Sequence, residues 1–274
     1  MSLSPSARGP GRAGLTTLAE ALSQRDRRVL REVQRHRFLR TDHIQRLVFT
    51  THRSSDTAAR VCRSVLGRLR RQGLLHALPR RVGGLPGGAA HTVWQLTTLG
   101  QRLLNLLNGD GSVSRFAEVG QLFVQHYLAI ADTHLTLLEA HAAQKLELLS
   151  AALEPDCWRS YIDGSGVTQV VKPDLAIVTA YEDYEDHWFI EVDRGTESMP
   201  TLLRQCQAYA RYRATGIEQD RTGVFPRIIW LLPTARRRDL LLDAIGNARQ
   251  LERGLFYALL TPDQLIDFIP GGTA

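Results

Sequence analysis

The segment VVKPDLAIVTAYEDYEDHWFIEVDRGTES, residues 170–198, gathers three carboxylates and a lysine in two short stretches. Lys172 and Asp174 flank a proline in the first, and Glu191 and Asp193 close the second, followed by Arg194, Gly195, Thr196 and Glu197. Both stretches are rich in β-branched and aromatic residues and read as strands around an acidic turn. Carboxylates on central strands are costly to bury unless they are paired or bind a metal. Glu191 and Asp193 stand two apart, so on a strand they share a face. With Asp174 on the neighbouring strand they could form one oxygen-rich site.

Elements that would position such a site can be read from periodicity. Helical spacing is expected from Val113 to about Ala143, with His126, Ile130, His134, Leu137 and His141 on one face. Histidines at that spacing are more often hydrogen-bonded residues at a core edge than metal ligands. Strands are expected at KLELLS, CWRSYI, TQVVKPDLAIVT and HWFIEVD. Ser198 then caps a helix, MPTLLRQCQAYARYRA, and FPRIIWLLP reads as a buried strand. A further helix, TARRRDLLLDAIGNARQLE, and a strand, LFYALLT, complete residues 111–270.

The first part of the chain has a different character. Residues 1–110 hold 19 arginines against 6 acids, a net charge of +13, whereas residues 111–274 carry −7. Of the 34 basic residues, 32 are arginine. That bias explains the choice of base and leaves the segregation by sign unexplained. A basic half joined to an acidic one suggests a nucleic-acid partner for the first. Residues 1–22 read as a disordered basic tail and not as a signal peptide. Residues 23–110 pattern as three helices, a hairpin with the glycine-rich tip VGGLPGGAA, and a closing helix. Ser23 caps the first helix, Thr41 the second, and Asp56 opens the third. This order describes a winged helix-turn-helix. Its third helix would enter the major groove of double-stranded DNA, with Arg60, Arg63, Arg68, Arg70 and Arg71 as contacts and Arg80 and Arg81 near the wing tip. The alternative is that these arginines form only the solvated face of an amphipathic helix.

In the acidic half, a helix, a three-stranded meander, a helix and a returning strand give the core order of the PD-(D/E)xK nuclease fold. The fold class expected is therefore α+β, a winged helix followed by a restriction-endonuclease-like α/β domain with a mixed sheet. Pro173-Asp174 matches PD, and Glu191-Val192-Asp193 matches ExK except at the last position. In that fold the acids bind a divalent cation, Mg2+ or Mn2+, through oxygen, and the cation serves phosphodiester cleavage.

FIEVDRGTES, preceded by KPD and followed by QAYARY, resembles the replication-relaxation proteins of actinobacterial plasmids and integrative elements. RDRRVLREVQRHRFLRTDHIQRLVF and LGRLRRQGLL are similar to the winged-helix region of that family, so the resemblance covers about residues 24–235. It implies a DNA-acting protein of a mobile element. Carried over residue by residue, it marks Asp174, Glu191, Asp193, Arg194, Gly195, Thr196 and Glu197, with His126 as a weaker match. Asp174 and Glu191 would then be metal ligands, with Asp193 a third ligand or an outer base. Arg194 would clamp a phosphate or neutralise the acids, and Gly195 would allow a tight turn. Thr196 and Glu197 would orient ligands or cap the next helix, and His126 would hydrogen-bond a carboxylate. The chain departs from the pattern at the lysine. Asp193 holds its place on the strand, and Gln205 stands where the resemblance implies one on the next helix. Lys172, on the same strand face as Asp174, is the candidate replacement.

Three readings stay open on sequence alone: a metal-dependent DNA nickase, a DNA-binding accessory with a degenerate nuclease domain, and a scaffold for plasmid replication or transfer proteins. A homodimer is expected to use QLFVQHYLAI. No apolar run reaches the ~18 residues of a membrane span, and the three cysteines are too widely spaced for a zinc site. No Walker loop is present. The expected location is the cytoplasm.

Overall fold

The computed structural model describes residues 11–51, 54–78, 92–109 and 120–269. It divides into two compact units, Met1–Ala131 and Asp132–Ala274, the division falling within one helix. Arg80, Arg81 and the glycine-rich tip lie outside the described residues.

The first unit runs α1 (Arg12–Glu20), α2 (Gln24–His36), β1 (Leu39–Arg40), α3 (Thr41–Val48), α4 (Ser55–Arg71), β2 (Leu75–Ala77), β3 (Val93–Leu96) and α5 (Thr98–Asn108). α1 forms where a disordered tail is expected. Its Leu15 and Ala19 are buried, and the helix packs on α5. Short flanking Gly and Ser runs hide that amphipathic turn in the sequence. Ser23 caps α2 through a reciprocal capping box with Asp26, which satisfies two of the helix's orphan N–H groups. Asp26 also takes both arms of Arg68 from α4, at 3.1 and 2.6 Å. The side chain of Asp26 is 1% exposed, so one buried carboxylate joins the start of α2 to α4. β1 and β2 pair antiparallel on either side of β3.

His36, at the end of α2, is buried with its Nδ1 2.9 Å from the carbonyl of Glu32. Burial lowers its pKa to about 4. A base that is neutral when folded protonates first in the unfolded chain. The stability it contributes is complete above about pH 6.5 and is lost as the pH falls toward 4. The loss is on the order of 3 kcal/mol at most. Chemical denaturation of wild type and His36→Gln at pH 7 and pH 5 should show the gap between the two pH values shrinking in the variant.

The second unit takes the C-terminal half of α6 (Gln121–Ala142), then β4 (Glu147–Leu153), β5 (Arg159–Ile162), β6 (Thr168–Val171), β7 (Leu175–Tyr181), β8 (Tyr184–Val192), α7 (Met199–Ala214), α8 (Ile217–Thr222), β9 (Arg227–Leu231), α9 (Ala235–Asn247), β10 (Phe256–Leu259) and α10 (Pro262–Phe268). Among the described residues a mixed sheet has the order β10-β9-β8-β7-β4. β4, β7 and β8 form an antiparallel meander, and β9 and β10 run parallel beside β8. The expected single strand TQVVKPDLAIVT is broken at Lys172–Asp174. Its first part pairs with β5 as a separate hairpin inserted between β4 and β7. Pro173 lacks the N–H that a continuous ladder requires.

Alternation assigns the two faces of the sheet. Phe189, Ile228, Trp230 and Leu232 join Leu202, Cys206, Tyr209 and Tyr212 of α7 and Leu241 and Ile245 of α9 in one apolar core. On the other face Phe268 of α10 packs against Trp188 and Tyr257. The helix α8 is held from within by Glu218, which is 1% exposed. Glu218 accepts from Tyr212 Oη at 2.6 Å, from Arg159 Nε at 3.2 Å and from Arg221. Burial pushes the Glu218 pKa up, but the bonds from Arg221 and Tyr212 and the Arg159 charge outweigh it and leave the pKa lowered. Among the described residues no helix is long and apolar enough to cross a membrane.

Candidate functional site

The strand register of the second unit aligns three acids. Leu153 pairs with Leu175, and Leu175 pairs with Ile190. Glu154 follows β4 directly, Asp174 directly precedes β7, and Glu191 follows Ile190 on β8. Backbone bonds tie these ends together: Glu154 N donates to Asp174 O, and Asp174 N to Ile190 O, each at 3.1 Å. A carboxylate oxygen of Glu154 lies within 4.8 Å of one of Asp174. Glu154, Asp174 and Glu191 thus form a row across the neighbouring strands β4, β7 and β8.

Each acid is held differently. Asp174 is 6% exposed, and its Oδ2 accepts from Val192 N at 2.6 Å. That bond ends the β7–β8 ladder with a side chain in place of a carbonyl. Glu191 is 7% exposed and accepts a short hydrogen bond from the hydroxyl of Tyr209, on α7. Burial drives the Glu191 pKa well above the ordinary carboxylate range. The Asp174 charge adds to the shift, Tyr209 opposes it, and Glu197 and Glu154 raise it further. The charges acting on Glu191 are therefore negative. A hard divalent cation takes carboxylate oxygens, and Glu154 and Asp174 offer theirs within 4.8 Å of each other.

Asp193 takes no place in that row. It lies beyond the end of β8, where its N–H donates to Leu231 O at 2.9 Å. Both of its carboxylate oxygens are taken by Arg237, through Nε to Oδ2 and through Nη2 to Oδ1 at 3.0 Å. The role expected of Asp193, a third ligand or an outer base, therefore falls to a carboxylate whose two oxygens both carry a guanidinium bond. Arg194, expected to neutralise the acids, is exposed, and Arg237 from α9 is the arginine that pairs. Lys172 does not point along Asp174's strand face, since the strand ends at Val171. Its Nζ sits 4.6 Å from the ring centroid of Trp158. Gly195 turns with φ +74°, and a Cβ there would meet Pro233 Cγ at 3.3 Å, so the expected tight turn is present. Thr196 and Glu197 are exposed. The N-cap residue of α7, Ser198, makes no side-chain cap bond; its hydroxyl pairs with that of Thr201 at 2.9 Å. His126 belongs to the first unit, on α6, with its ring edge-on to Tyr127.

Two residues of the second unit escape motif reasoning. Glu154 is the acid at the end of β4, and the signal for it is an acid directly after an apolar strand. Arg237 sits among Arg236 and Arg238, and nothing in that run distinguishes it. In the first unit, Arg60, Arg63, Arg70 and Arg71 line α4, and Arg60, Arg63 and Arg70 stand on its exposed side with Arg71. Arg68 differs: it is committed to Asp26, because that buried carboxylate requires a cation.

A family model described as replication-relaxation matches residues 30–228. Among solved structures, that of restriction endonuclease FokI is similar at 12% identity and a TM-score of 0.24, over 98% of this chain and 74% of that chain. A likeness of that size carries no functional argument. No curated protein matches the chain.

Proposed function

The chain belongs to the replication-relaxation family, and from that premise we propose that it binds double-stranded DNA of a plasmid or other mobile element and nicks it with the help of a divalent cation. The observation that carries this reading is the approach of the Glu154 and Asp174 carboxylates to within 4.8 Å, with Glu191 on the neighbouring strand β8. A PD-(D/E)xK-like domain would use the second and third of these in the same places. When bound, Mg2+ or Mn2+ supplies positive charge to a phosphodiester and activates water for attack on phosphorus. Asp174 and Glu191 would hold the cation, and Glu154 would add a third carboxylate beside it. Tyr209 fixes the orientation of Glu191 through its hydroxyl. Arg194, exposed after β8, would clamp a phosphate of the DNA backbone.

The first unit supplies the DNA contact in this reading. Its helices and three short strands follow winged-helix order, and α4 would lie in the major groove. Arg60, Arg63, Arg70 and Arg71 would face the DNA. Binding through such arginines weakens steeply with salt.

A second reading is favoured by one specific feature. Asp193 stands where a lysine is expected and is tied to Arg237, and Gln205 on α7 carries no charge. On that reading the protein is a DNA-binding accessory without chemistry. Conversion of supercoiled plasmid in Mg2+ or Mn2+ separates the two. Nicked product from wild type, none from Asp174→Ala, and equal DNA affinity for both are expected. Equal binding with no product from either protein would leave the accessory reading.

A further inference from the structure

One side chain pins both ends of the loop that leaves the carboxylate site. Arg237 lies in the first turn of α9, where Thr234 Oγ1 caps its N–H at 3.2 Å. Its guanidinium engages both oxygens of Asp193 and also donates from Nη2 to the carbonyl of Glu197 at 2.7 Å. The Arg237 side chain is 17% exposed and that of Asp193 is 2% exposed. Between the two anchors, Gly195 N closes on Asp193 Oδ1 at 3.0 Å. The loop 193–198 is therefore held at its start, its turn and its end. It begins two residues after Glu191, and the Glu197 charge acts on Glu191. Arg237 lies outside the matched span 30–228.

We infer that Arg237 is a positioning residue for the carboxylate site: its fork sets the loop that directly follows the strand carrying Glu191, and thereby sets the affinity for a divalent cation. This rests on the metal reading proposed for Asp174 and Glu191. Charge alone does not account for the residue. Asp193 neutralises it, and a guanidinium does not serve in proton transfer. What it contributes is planar geometry, with three acceptors met by one rigid fork. Lysine, a point charge on a flexible stem, cannot meet all three.

The test is calorimetric titration of the full chain with Mn2+ alone, beside hydrogen exchange of residues 193–198. Wild type should bind. Arg237→Ala should remain folded by circular dichroism, lose amide protection in the loop, and bind Mn2+ more weakly by ~10–100-fold, the range for residues that support ligands from behind. Arg237→Lys should recover only part of the affinity. Should Arg237→Ala fail to fold, Arg237→Lys and Asp193→Asn give the same comparison. A folded variant with lower melting temperature but wild-type Mn2+ affinity would overturn the inference and leave the metal reading standing. Absence of Mn2+ binding by wild type would overturn both.

Discussion

Glu191→Gln is expected to make the metal-free protein more stable while removing its response to Mn2+. Glu191 is buried, faces the Asp174 and Glu154 charges, and accepts from one neutral donor, Tyr209, among the bonds described. The sign comes from its raised pKa. Folding disfavours the ionised form, so no cost arises below the ordinary value of 4.5. The cost grows as the pH rises and is complete above the folded-state pKa. Glutamine keeps the shape and an oxygen for Tyr209 to donate to, and it removes the charge. At pH 8 the variant should melt a few degrees above wild type without metal. Wild type should gain from Mn2+ by mass action, about 2.7 kcal/mol at a hundredfold excess over Kd. The variant should gain little, since an amide is a poorer ligand for a hard cation than a carboxylate. Differential scanning calorimetry with and without Mn2+ reads both effects. A variant less stable than wild type in the absence of metal would mean that the charge is already compensated within the protein, and the carboxylate row would lose its interpretation as a cation site.

Asp26→Ala is expected to be the most damaging substitution in the first unit. It removes half of the capping box on α2 and leaves Arg68 without its carboxylate. Arg68 is 40% exposed and can be solvated once its partner is gone, so losing its charged hydrogen bonds costs about 1.5–3 kcal/mol, and loss of a cap adds about 1 kcal/mol. Burial raises the pKa of Asp26, but bonds from Arg68 and Ser23 outweigh it and hold the pKa below 3.8. The stability from this group is thus present above about pH 4 and is lost as the pH falls through the lowered value. Urea denaturation at pH 7 should show the full loss in the variant. DNA affinity should fall with it, because α4, which carries Arg60 and Arg63, is anchored through Arg68. Arg60→Ala with Arg63→Ala should behave in the opposite way, with stability near wild type and DNA binding reduced. A stable Asp26→Ala protein would show that Arg68 finds water or another partner at little cost.

Much of the architecture is legible locally. The capped start of α2 at Ser23, the apolar stripe of α4 and the strand–helix alternation after Val170 all come from neighbours a few residues apart, where propensity and periodicity act. The same holds for the segregation of charge and for Asp174 and Glu191, whose acids interrupt apolar runs. The helix α1 escapes because its buried face amounts to Leu15 and Ala19 in a polar context. The break at Pro173 is readable in principle, since a proline cannot continue a ladder, but the run of valines around it argues for one strand.

Tertiary structure decided which groups meet. Glu154 joins Asp174 through strand pairing, and its separation from Glu191 in sequence hides the alignment until the register is known. Asp193 and Arg237 are paired across 44 residues, and Asp26 and Arg68 across 42. A sequence states that each of these residues is charged. Whether a carboxylate is left to bind a cation or is neutralised by a guanidinium depends on which element folds against it, and that is settled only when sheet and helices pack. Charge type is a property of the residue, whereas its availability is a property of the fold.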